Sequence, residues 1–320
     1  MSGNTTEIDL PAWAIEAKGL TKRFLPTIEA SVRDLSFSIA QSETLAFLGP
    51  NGAGKSTTIK MLCGILSPSS GSAEILGHKA GTKRANQQLG LVFGTRSQLY
   101  FHMKVIHCLE LSAEIYFLSG EDKRSRIREL AEAFAIDRFL HRRVRTLSLG
   151  ERMRCEIVAA LLHRPRVLLA DEPTIGLDIV AKNRLRDLIK NWQRHEKTSL
   201  MLTSHDLSDV EALCHRCILI DKGSKRYDGP LKGIKGDLEH LRRIEITTSL
   251  ADLPLFQDLS RFRLCHSANS FTHVYEIYTH QLSMAEGIFS LTQHYGKYLQ
   301  DLKVSEVTLE EVLGVHYAAN

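Results

Sequence analysis

The stretch LGPNGAGKST, residues 48–57, decides the fold of this chain. Gly49, Gly54, Lys55 and Ser56 satisfy the spacing G-x-x-x-x-G-K-[ST] of a phosphate-binding loop, or P-loop. Glycines let such a loop adopt positive φ angles and let its backbone approach an anion closely. The N–H groups of the loop and of the following helix then face the phosphates. Lys55 would reach the β- and γ-phosphates, and the Ser56 hydroxyl would bind Mg²⁺.

The sequence on both sides of this loop supports the assignment. The apolar segment TLAFLG before the loop predicts a buried strand, and KSTTIKMLCGIL after it predicts a helix. One face of that helix carries Ile59, Leu62, Cys63 and Leu66. The motif requires a strand, a loop and a helix in this order, so a merely flexible glycine-rich loop is the weaker interpretation.

The composition indicates an ordinary globular protein with one large and one small domain. The chain has 320 residues, of which 43% are hydrophobic and 24% are charged, and its formal net charge is +4. No apolar run approaches the roughly 18 residues of a membrane-spanning helix, and the N-terminal sequence lacks the pattern of a secretion signal. These features predict a cytoplasmic location, and the mild positive charge is weak evidence for nucleic acid or an anionic membrane surface as a partner.

The order of the predicted elements divides the chain into domains. Residues 1–13 are expected to form a flexible tail, and residues 14–238 are expected to form the first domain. Within that domain, residues 96–160 carry helical spacing and predict a helical subdomain. The pattern of strands and helices restarts afterwards, so residues 239–320 predict a separate, small α+β domain.

Several local patterns predict individual elements. The segments AIEAKGLTKRF and VRDLSFSIA predict two strands of an antiparallel sheet, and CILIDKGSKRYDG predicts a hairpin that turns at Gly223. Ser208 with Glu211, and Thr308 with Glu311, have the spacing of a capping box, which predicts a helix start at each place.

Two acidic residues follow a second buried strand. In VLLADEPTIGLD, residues 167–178, Asp171 ends an apolar run and Glu172 follows it. Asp171 would hold Mg²⁺, directly or through water. Glu172 stands where an attacking water needs a proton acceptor. An acidic pair in an ordinary turn is the alternative, but the apolar run, both acids and Pro173 occur together.

Two weaker motifs gain meaning from their order along the chain. LSLGERMRCEI, residues 147–157, places Ser148 and Gly150 at a predicted helix start, which alone indicates only a helix cap. MLTSHDLSD, residues 201–209, places His205 at the end of a strand, where a lone histidine is usually structural. Here the histidine follows the acidic pair at a suitable distance in sequence.

With these motifs in order, the sequence resembles the nucleotide-binding subunit of an ATP-binding cassette (ABC) transporter over about residues 14–235. GPNGAGKST matches the Walker A of that family, LSLGE its signature, VLLADE its Walker B, TIGLD its D-loop, and the SH at 204–205 its H-loop. The resemblance implies an α/β fold of the P-loop NTPase class. Such a cassette has a mixed-sheet core, an antiparallel β subdomain and a helical subdomain, here followed by the small C-terminal α+β unit.

The resemblance also implies roles for individual residues. ATP would be sandwiched between the Walker A of one subunit and the signature of another, with Mg²⁺ bound by Ser56 and Asp171. Lys55, Glu172 and His205 would be catalytic, the histidine by steadying the γ-phosphate. The residues expected to contact nucleotide belong to the Walker A, to the signature and to the position where the family stacks an aromatic ring on adenine: Gly49, Pro50, Asn51, Gly52, Ala53, Gly54, Lys55, Ser56, Thr57, Ser148, Gly150, Glu151 and Phe24.

Two positions depart from the family pattern. The Q-loop glutamine, which touches Mg²⁺ and reports to the membrane subunit, aligns best with Thr95, and Gln98 lies three residues further on. Either Gln98 substitutes for the glutamine, or Thr95 ligates Mg²⁺ through its hydroxyl; both interpretations stay open. In the signature, Leu149 and Glu151 replace the commoner glycine and glutamine, while the serine and the second glycine remain.

The finer motifs are similar to those of ATPase subunits of bacterial exporters whose membrane domains are separate polypeptides. This implies an ATPase that dimerises on ATP, as a homodimer or with a paired ATPase subunit. It would drive export of a drug, lipid or polysaccharide through an integral-membrane permease, from a peripheral position on the inner face of the cell membrane. No nucleic acid is expected as a partner.

Two alternative functions fit the sequence less well. A soluble ABC ATPase that acts on the ribosome or on DNA usually carries two cassettes or a long coiled coil, whereas this sequence has one P-loop and no sustained heptads. A non-catalytic binding module is disfavoured by the intact set of Lys55, Asp171, Glu172 and His205.

Overall fold

The computed structural model divides into two compact units, Met1–Leu231 and Lys232–Asn320. The predictions for the N-terminal tail, for His205, for the boundary at 238/239 and for the capping box at Thr308 lie outside the described residues. The structure describes residues 12–24, 30–204, 206–234, 241–251, 253, 255–256, 262–279 and 282–306.

The first unit combines two sheets with helices. The mixed sheet has the order β10-β9-β3-β8-β7-β6 and is parallel except for β10, and the antiparallel sheet has the order β2-β1-β4-β5. The α/β fold with a mixed-sheet core and an antiparallel β subdomain is therefore confirmed. In chain order the elements are β1 (Trp13–Arg23), β2 (Ala30–Ala40), β3 (Thr44–Leu48), α1 (Lys55–Leu62), β4 (Ser70–Ile75), β5 (His78–Lys79), α2 (Lys83–Asn86), β6 (Leu89–Phe93), α3 (Val105–Ile115), α4 (Gly120–Ala133), α5 (Leu149–Leu161), β7 (Val167–Asp171), α6 (Ile179–Glu196), β8 (Ser199–Thr203), α7 (Leu207–Leu213), β9 (Arg216–Asp221) and β10 (Ser224–Pro230).

The strand order brings the predicted motifs together at the carboxyl ends of the parallel strands in the mixed sheet. Strand β3 precedes the glycine-rich loop and lies between β9 and β8, and β7 follows next to β8. After β3 the chain runs to β6 at the far edge and returns through β7 and β8 before it crosses to β9. Ligands of such sheets bind at the carboxyl ends of the strands, where the strand order reverses. The loops after β3, β7 and β8 all begin at these carboxyl ends.

Apolar side chains hold the two sheets and α1 together. One buried cluster joins Ile15 of β1, Ile59 of α1 and Leu169 of β7. Between the sheets, the rings of Phe37 and Phe47 lie 5.6 Å apart. Full burial of one such side chain stabilises the fold by about 1.5–3 kcal/mol, so this core fixes the base of the glycine-rich loop.

Two helix ends differ from the sequence prediction. Helix α1 ends at Leu62, so Leu66 packs against the core from outside the helix. Helix α7 is capped by Asp206, whose carboxylate accepts from the backbone N–H of Ser208 at 3.0 Å, so the capping box predicted at Ser208 is wrong. The Ser208 hydroxyl is bound to Asp206 and to Arg186 instead. It is therefore not available to cap a helix.

In its described residues, the second unit has an antiparallel sheet of order β12-β13-β11-β14 and the α-helix α8. Ile244, Tyr275 and Leu291 are fully buried in its core. Its elements are β11 (Leu241–Thr248), β12 (Phe262–Asn269), β13 (Thr272–Tyr278), α8 (Met284–Tyr295) and β14 (Leu299–Glu306). Strand β12 was not predicted, because its sequence FRLCHSAN becomes polar toward its end and carries no sustained alternation.

Among the helices that the structure describes, none combines the length and the apolar character needed to cross a bilayer.

Candidate functional site

The glycine-rich loop joins β3 to α1, as the motif requires. Gly54 precedes the first residue of α1 and has a φ of 105°. A Cβ atom on Gly54 would lie 2.6 Å from the carbonyl oxygen of Ser31, so both conformation and space require glycine. The first turn of α1 has no acidic residue and its N-cap makes no side-chain hydrogen bond, which favours an anion at this helix end.

Lys55 is a charged side chain in a buried position. It is 6% exposed, and its Nζ donates to the carbonyl oxygens of Gly49 at 2.7 Å and Pro50 at 3.1 Å. Burial lowers the pKa of Lys55, while the negative charges of Glu172 and Asp171 oppose that shift. The structure thus brings the predicted phosphate-binding lysine together with both predicted acids. A phosphate group there would add negative charge that favours the ammonium form.

The end of β8 fixes both acids. The Thr203 hydroxyl donates to Asp171 Oδ1 at 2.6 Å and accepts from the backbone N–H of Glu172 at 3.1 Å. Glu172 itself has a φ of 54°, a left-handed conformation that is uncommon outside glycine and is often found at functional sites. Thr203 was not predicted as a site residue, because it contacts the acids across the sheet and no local motif marks it.

The segment after β6 packs against the same strand end. A Cβ atom on Gly94 would lie 2.0 Å from the carbonyl oxygen of Glu172, so only glycine permits this approach. Thr95 follows directly and is exposed. The Gln98 carboxamide donates to the Leu91 carbonyl of β6. The backbone therefore brings Thr95 next to the acids, while the side chain of Gln98 is bonded within its own segment.

A buried carboxylate links the loops that follow β7 and β8. Asp209 is fully buried and accepts from the Ser204 hydroxyl at 2.9 Å, from the Thr174 hydroxyl and from the Arg186 guanidinium. Thr174 lies two residues after Glu172, and Ser204 directly precedes position 205. Asp209 was not predicted as a site residue, because its donors come from three separate segments of the sequence.

The signature residues lie at the exposed beginning of α5. The Ser148 hydroxyl accepts from the Glu151 N–H at 3.2 Å, and the Glu151 carboxylate accepts from the Ser148 N–H at 2.9 Å. The helix start predicted there is confirmed as a capping box. Arg142 lies 3.5 Å from the Glu151 carboxylate, and a Cβ atom on Gly150 would lie 3.1 Å from Ala181 of α6. A role of these residues toward the ATP of a second subunit stays a prediction.

Two predicted site residues stand apart from this group. Phe24 follows β1, is 41% exposed, and has the Lys22 ammonium 5.3 Å from its ring centroid. An exposed ring can stack on a nucleotide base. The side chain and position of His205 are outside the described residues, so its part in the site stays a prediction.

The residues present fit a magnesium nucleotide. The hydroxyl of the exposed Ser56, in the first turn of α1, and the Asp171 carboxylate are both hard oxygen ligands of the kind that Mg²⁺ prefers. Within the part of the chain that is described, no group of three or more His, Cys, Asp or Glu residues could hold a metal ion. The other ligands would have to be phosphate oxygens and water, which is usual for Mg²⁺.

The chain is similar in sequence and in fold to several known proteins. The family described as "ABC transporter" matches residues 32–175. The chain is 35% identical to the ABC transporter ATP-binding protein NatA of Bacillus subtilis (strain 168) over 206 residues, which is 64% of this chain and 83% of NatA. It is 32% identical to the probable multidrug ABC transporter ATP-binding protein YbhF of Escherichia coli (strain K12) over 246 residues, which is 76% of this chain but 42% of YbhF. In fold it is similar to a dimeric ATP-binding cassette in a post-hydrolysis state bound to ADP and Pi, with a TM-score of 0.61, 23% identity, and coverage of 68% of this chain and 98% of that chain.

Proposed function

We propose that this chain, which belongs to the ATP-binding proteins of ABC transporters and is an ATPase of that family, powers export through a separate integral-membrane permease. The observation that carries the proposal is the buried Lys55 ammonium beside Asp171 and Glu172, at the carboxyl edge of the mixed sheet. In this proposal the chain lies on the inner face of the cell membrane. The cargo would be a drug, a lipid or a polysaccharide, and the name of its relative YbhF supports a drug.

The residues of the chain bind and orient ATP in this proposal. The first N–H groups of α1 and the Lys55 ammonium bind the β- and γ-phosphates, and hydrogen bonds to charged groups contribute about 1.5–3 kcal/mol each. Ser56 and Asp171 would hold Mg²⁺, which when bound offsets negative charge on the phosphates. Glu172 accepts the proton of the attacking water. The contacts of Thr203 keep the backbone of Glu172 in position for that transfer.

A second ATPase subunit completes the site in this proposal. The beginning of α5 is exposed, and the Ser148 hydroxyl and the helix N-terminus would bind the phosphates of ATP held by the other subunit. The dimeric state of the similar solved cassette supports this arrangement. The partner would be a second copy of this chain or a paired ATPase subunit, and Phe24 would stack on adenine and His205 would steady the γ-phosphate.

The first test replaces the proposed base. Glu172→Gln keeps the size and the hydrogen bonding of the side chain but removes the proton acceptor, so hydrolysis should fall by about 10²–10⁴-fold. ATP binding measured by calorimetry should survive, and an ATP-stable dimer should accumulate on gel filtration. Glu121→Gln, an exposed acid of α4, is the matched control and should keep normal turnover. Normal turnover in Glu172→Gln would refute the assignment.

The second test addresses export. Deletion of the gene in its source cell should increase retention of the exported compound, measured with fluorescent drugs and labelled lipids. Wild-type protein should restore export and Glu172→Gln should not. Restoration by Glu172→Gln would show that ATP hydrolysis by this chain does not power the export.

A further inference from the structure

A buried carboxylate of α5 binds the loop that leaves β6. Glu156 is 2% exposed, and its two carboxylate oxygens accept from the Ser97 hydroxyl and, at 2.9 Å, from the backbone N–H of Gln98. Both donors belong to the loop between β6 and α3. Burial raises the pKa of Glu156, and the hydrogen bonds from Ser97 and Gln98 oppose that shift. An unpaired carboxylate in this place would be costly, so carboxylate and loop hold each other.

The same loop is fixed at its other end by the end of β7, next to the proposed base Glu172. The backbone N–H of Gly94 donates to the Asp171 carbonyl oxygen at 2.8 Å, and Gly94 packs directly on the Glu172 carbonyl. Residues 94–98 therefore form a short bridge from the acids at the end of β7 to Glu156 on α5. Because these five residues are held at both ends, a shift of the backbone at Asp171 and Glu172 would also shift the groups that contact Glu156.

Helix α5 connects this bridge to its own exposed N-terminus. From Met153 to Leu161 every residue of α5 is buried, which holds that part of the helix firmly in the core. Ser148, which caps the helix, lies eight residues before Glu156, about 12 Å along the axis at roughly 1.5 Å per residue. A shift of the acids at one end would reach the cap of α5 at the other.

We propose that Glu156 is a positioning residue for ATP hydrolysis: it holds residues 94–98 against Glu172 and passes the nucleotide state of that site to the N-terminus of α5. The inference rests on the proposed role of Glu172 in the reaction. It assigns no chemical step to Glu156. The competing explanation is that Glu156 only stabilises the packing of α5.

The experiment uses the full chain and compares four variants. Glu156→Gln is isosteric, but its amide group offers a donor where the loop needs an acceptor. Ser97→Ala removes one of the two donors, and the double variant combines both changes. Arg154→Met is the matched control, because Arg154 is buried on the same helix and donates to the Phe134 and Ala135 carbonyls, away from the loop.

Glu156→Gln should lower kcat by roughly ten- to a hundredfold, the loss expected when catalytic groups are displaced by about 1 Å. Turnover is expressed per ATP-binding site, with sites counted by calorimetry in the Glu172→Gln background. In that background, the Glu156→Gln change should leave the ATP affinity unaltered. The double variant should be no worse than Glu156→Gln alone, because both changes break one interaction. Arg154→Met should keep wild-type kcat per site.

A second measurement reads the link to α5 directly. The measurement uses the monomer fraction of the Glu172→Gln background, separated by gel filtration from the ATP-stable dimer, because the partner in that dimer would itself cover the start of α5. In this fraction ATP should protect the first turn of α5 from hydrogen exchange, and adding Glu156→Gln should remove that protection. The inference is overturned if Arg154→Met and Glu156→Gln lower kcat per site equally, if the effects of Ser97→Ala and Glu156→Gln add, or if the protection persists. Normal hydrolysis by Glu172→Gln itself would instead refute the proposed site, so the two failures are distinguishable.

Discussion

Replacing Lys55 by methionine should separate ATP binding from folding. Methionine keeps the apolar stem but removes an ammonium that is already desolvated in the chain without nucleotide. The lost partners are the carbonyls of Gly49 and Pro50 and the charges of Asp171 and Glu172, and all four residues are only partly buried. Water can replace the ammonium there, so the free energy of unfolding should change by no more than about 1–2 kcal/mol.

The effect on ATP binding should be much larger. One or two hydrogen bonds from the ammonium to the phosphates, at about 1.5–3 kcal/mol each, correspond to a loss of affinity from roughly tenfold to over a hundredfold. ATP at about 100 times its dissociation constant stabilises the wild-type protein by about 2.7 kcal/mol. A variant that binds a hundredfold more weakly gains only about 0.4 kcal/mol at the same concentration.

Thermal unfolding in the Glu172→Gln background measures this difference without hydrolysis. Since about 1 kcal/mol shifts the melting temperature of a domain of this size by roughly 2–4 °C, ATP should raise it by about 5–10 °C with Lys55 and by about 1 °C with methionine. Lys60→Met, in the last turn of the same helix, is the matched control and should keep the full shift. An equal ATP-induced shift in Lys55→Met would refute the assignment of the glycine-rich loop as the phosphate site.

Two further predictions concern the loop after β6 and the acid stability of the fold. Gln98→Ala should reduce the coupling of transport to hydrolysis more than Thr95→Ala, with little change in basal ATPase in either variant. If Thr95→Ala instead cuts basal hydrolysis and raises the Mg²⁺ requirement while Gln98→Ala is silent, the metal ligand is Thr95. Burial lowers the pKa of His163 to about 4 from 6.5, so between these values the unfolded chain binds a proton that the folded chain does not. Stability present above pH 6.5 should therefore be lost as the pH falls toward 4, by up to about 3 kcal/mol. His163→Phe, which keeps an aromatic ring against Tyr116, should make the free energy of unfolding in urea depend less on pH between 6.5 and about 4. An unchanged pH dependence would assign the loss of stability to other groups.

The sequence predicted those parts of the site that are contiguous in the chain. The glycine-rich loop is specified by spacing within ten residues, and the acids after β7 are marked by the apolar run before them. The helix start at Ser148 was predicted from a serine at the beginning of a helical pattern, and the structure shows a capping box there with both partners within one turn. The same pattern at Ser208 misled, because the Ser208 hydroxyl is bound by Arg186 of a different helix. Local spacing cannot report such a competitor.

The contacts that assemble the site were not predictable for the same reason. Thr203 and Asp209 have no distinguishing neighbours in sequence, and their partners lie on other strands or loops. Threonine is common in strands whether or not it belongs to a site, so a threonine at the end of a buried strand does not by itself indicate a site residue. Thr203 is identified by the strand order, which places β8 between β3 and β7, and Asp209 by hydrogen bonds from three separate segments.

The segments at and after the carboxyl ends of β6, β7 and β8 share one kind of contact. Hydroxyl groups donate to carboxylates at each of them: Thr203 to Asp171, Ser204 to Asp209, and Ser97 to Glu156. Each hydroxyl is a rotating donor whose net contribution is of the order of 1.5–3 kcal/mol, so a single bond can break and re-form during a catalytic cycle. Loss of the Asp209 carboxylate, in contrast, would leave donors of three separate segments unpaired at once. This buried carboxylate therefore holds the segments after β7 and β8 together, whereas each hydroxyl can change its contact by itself.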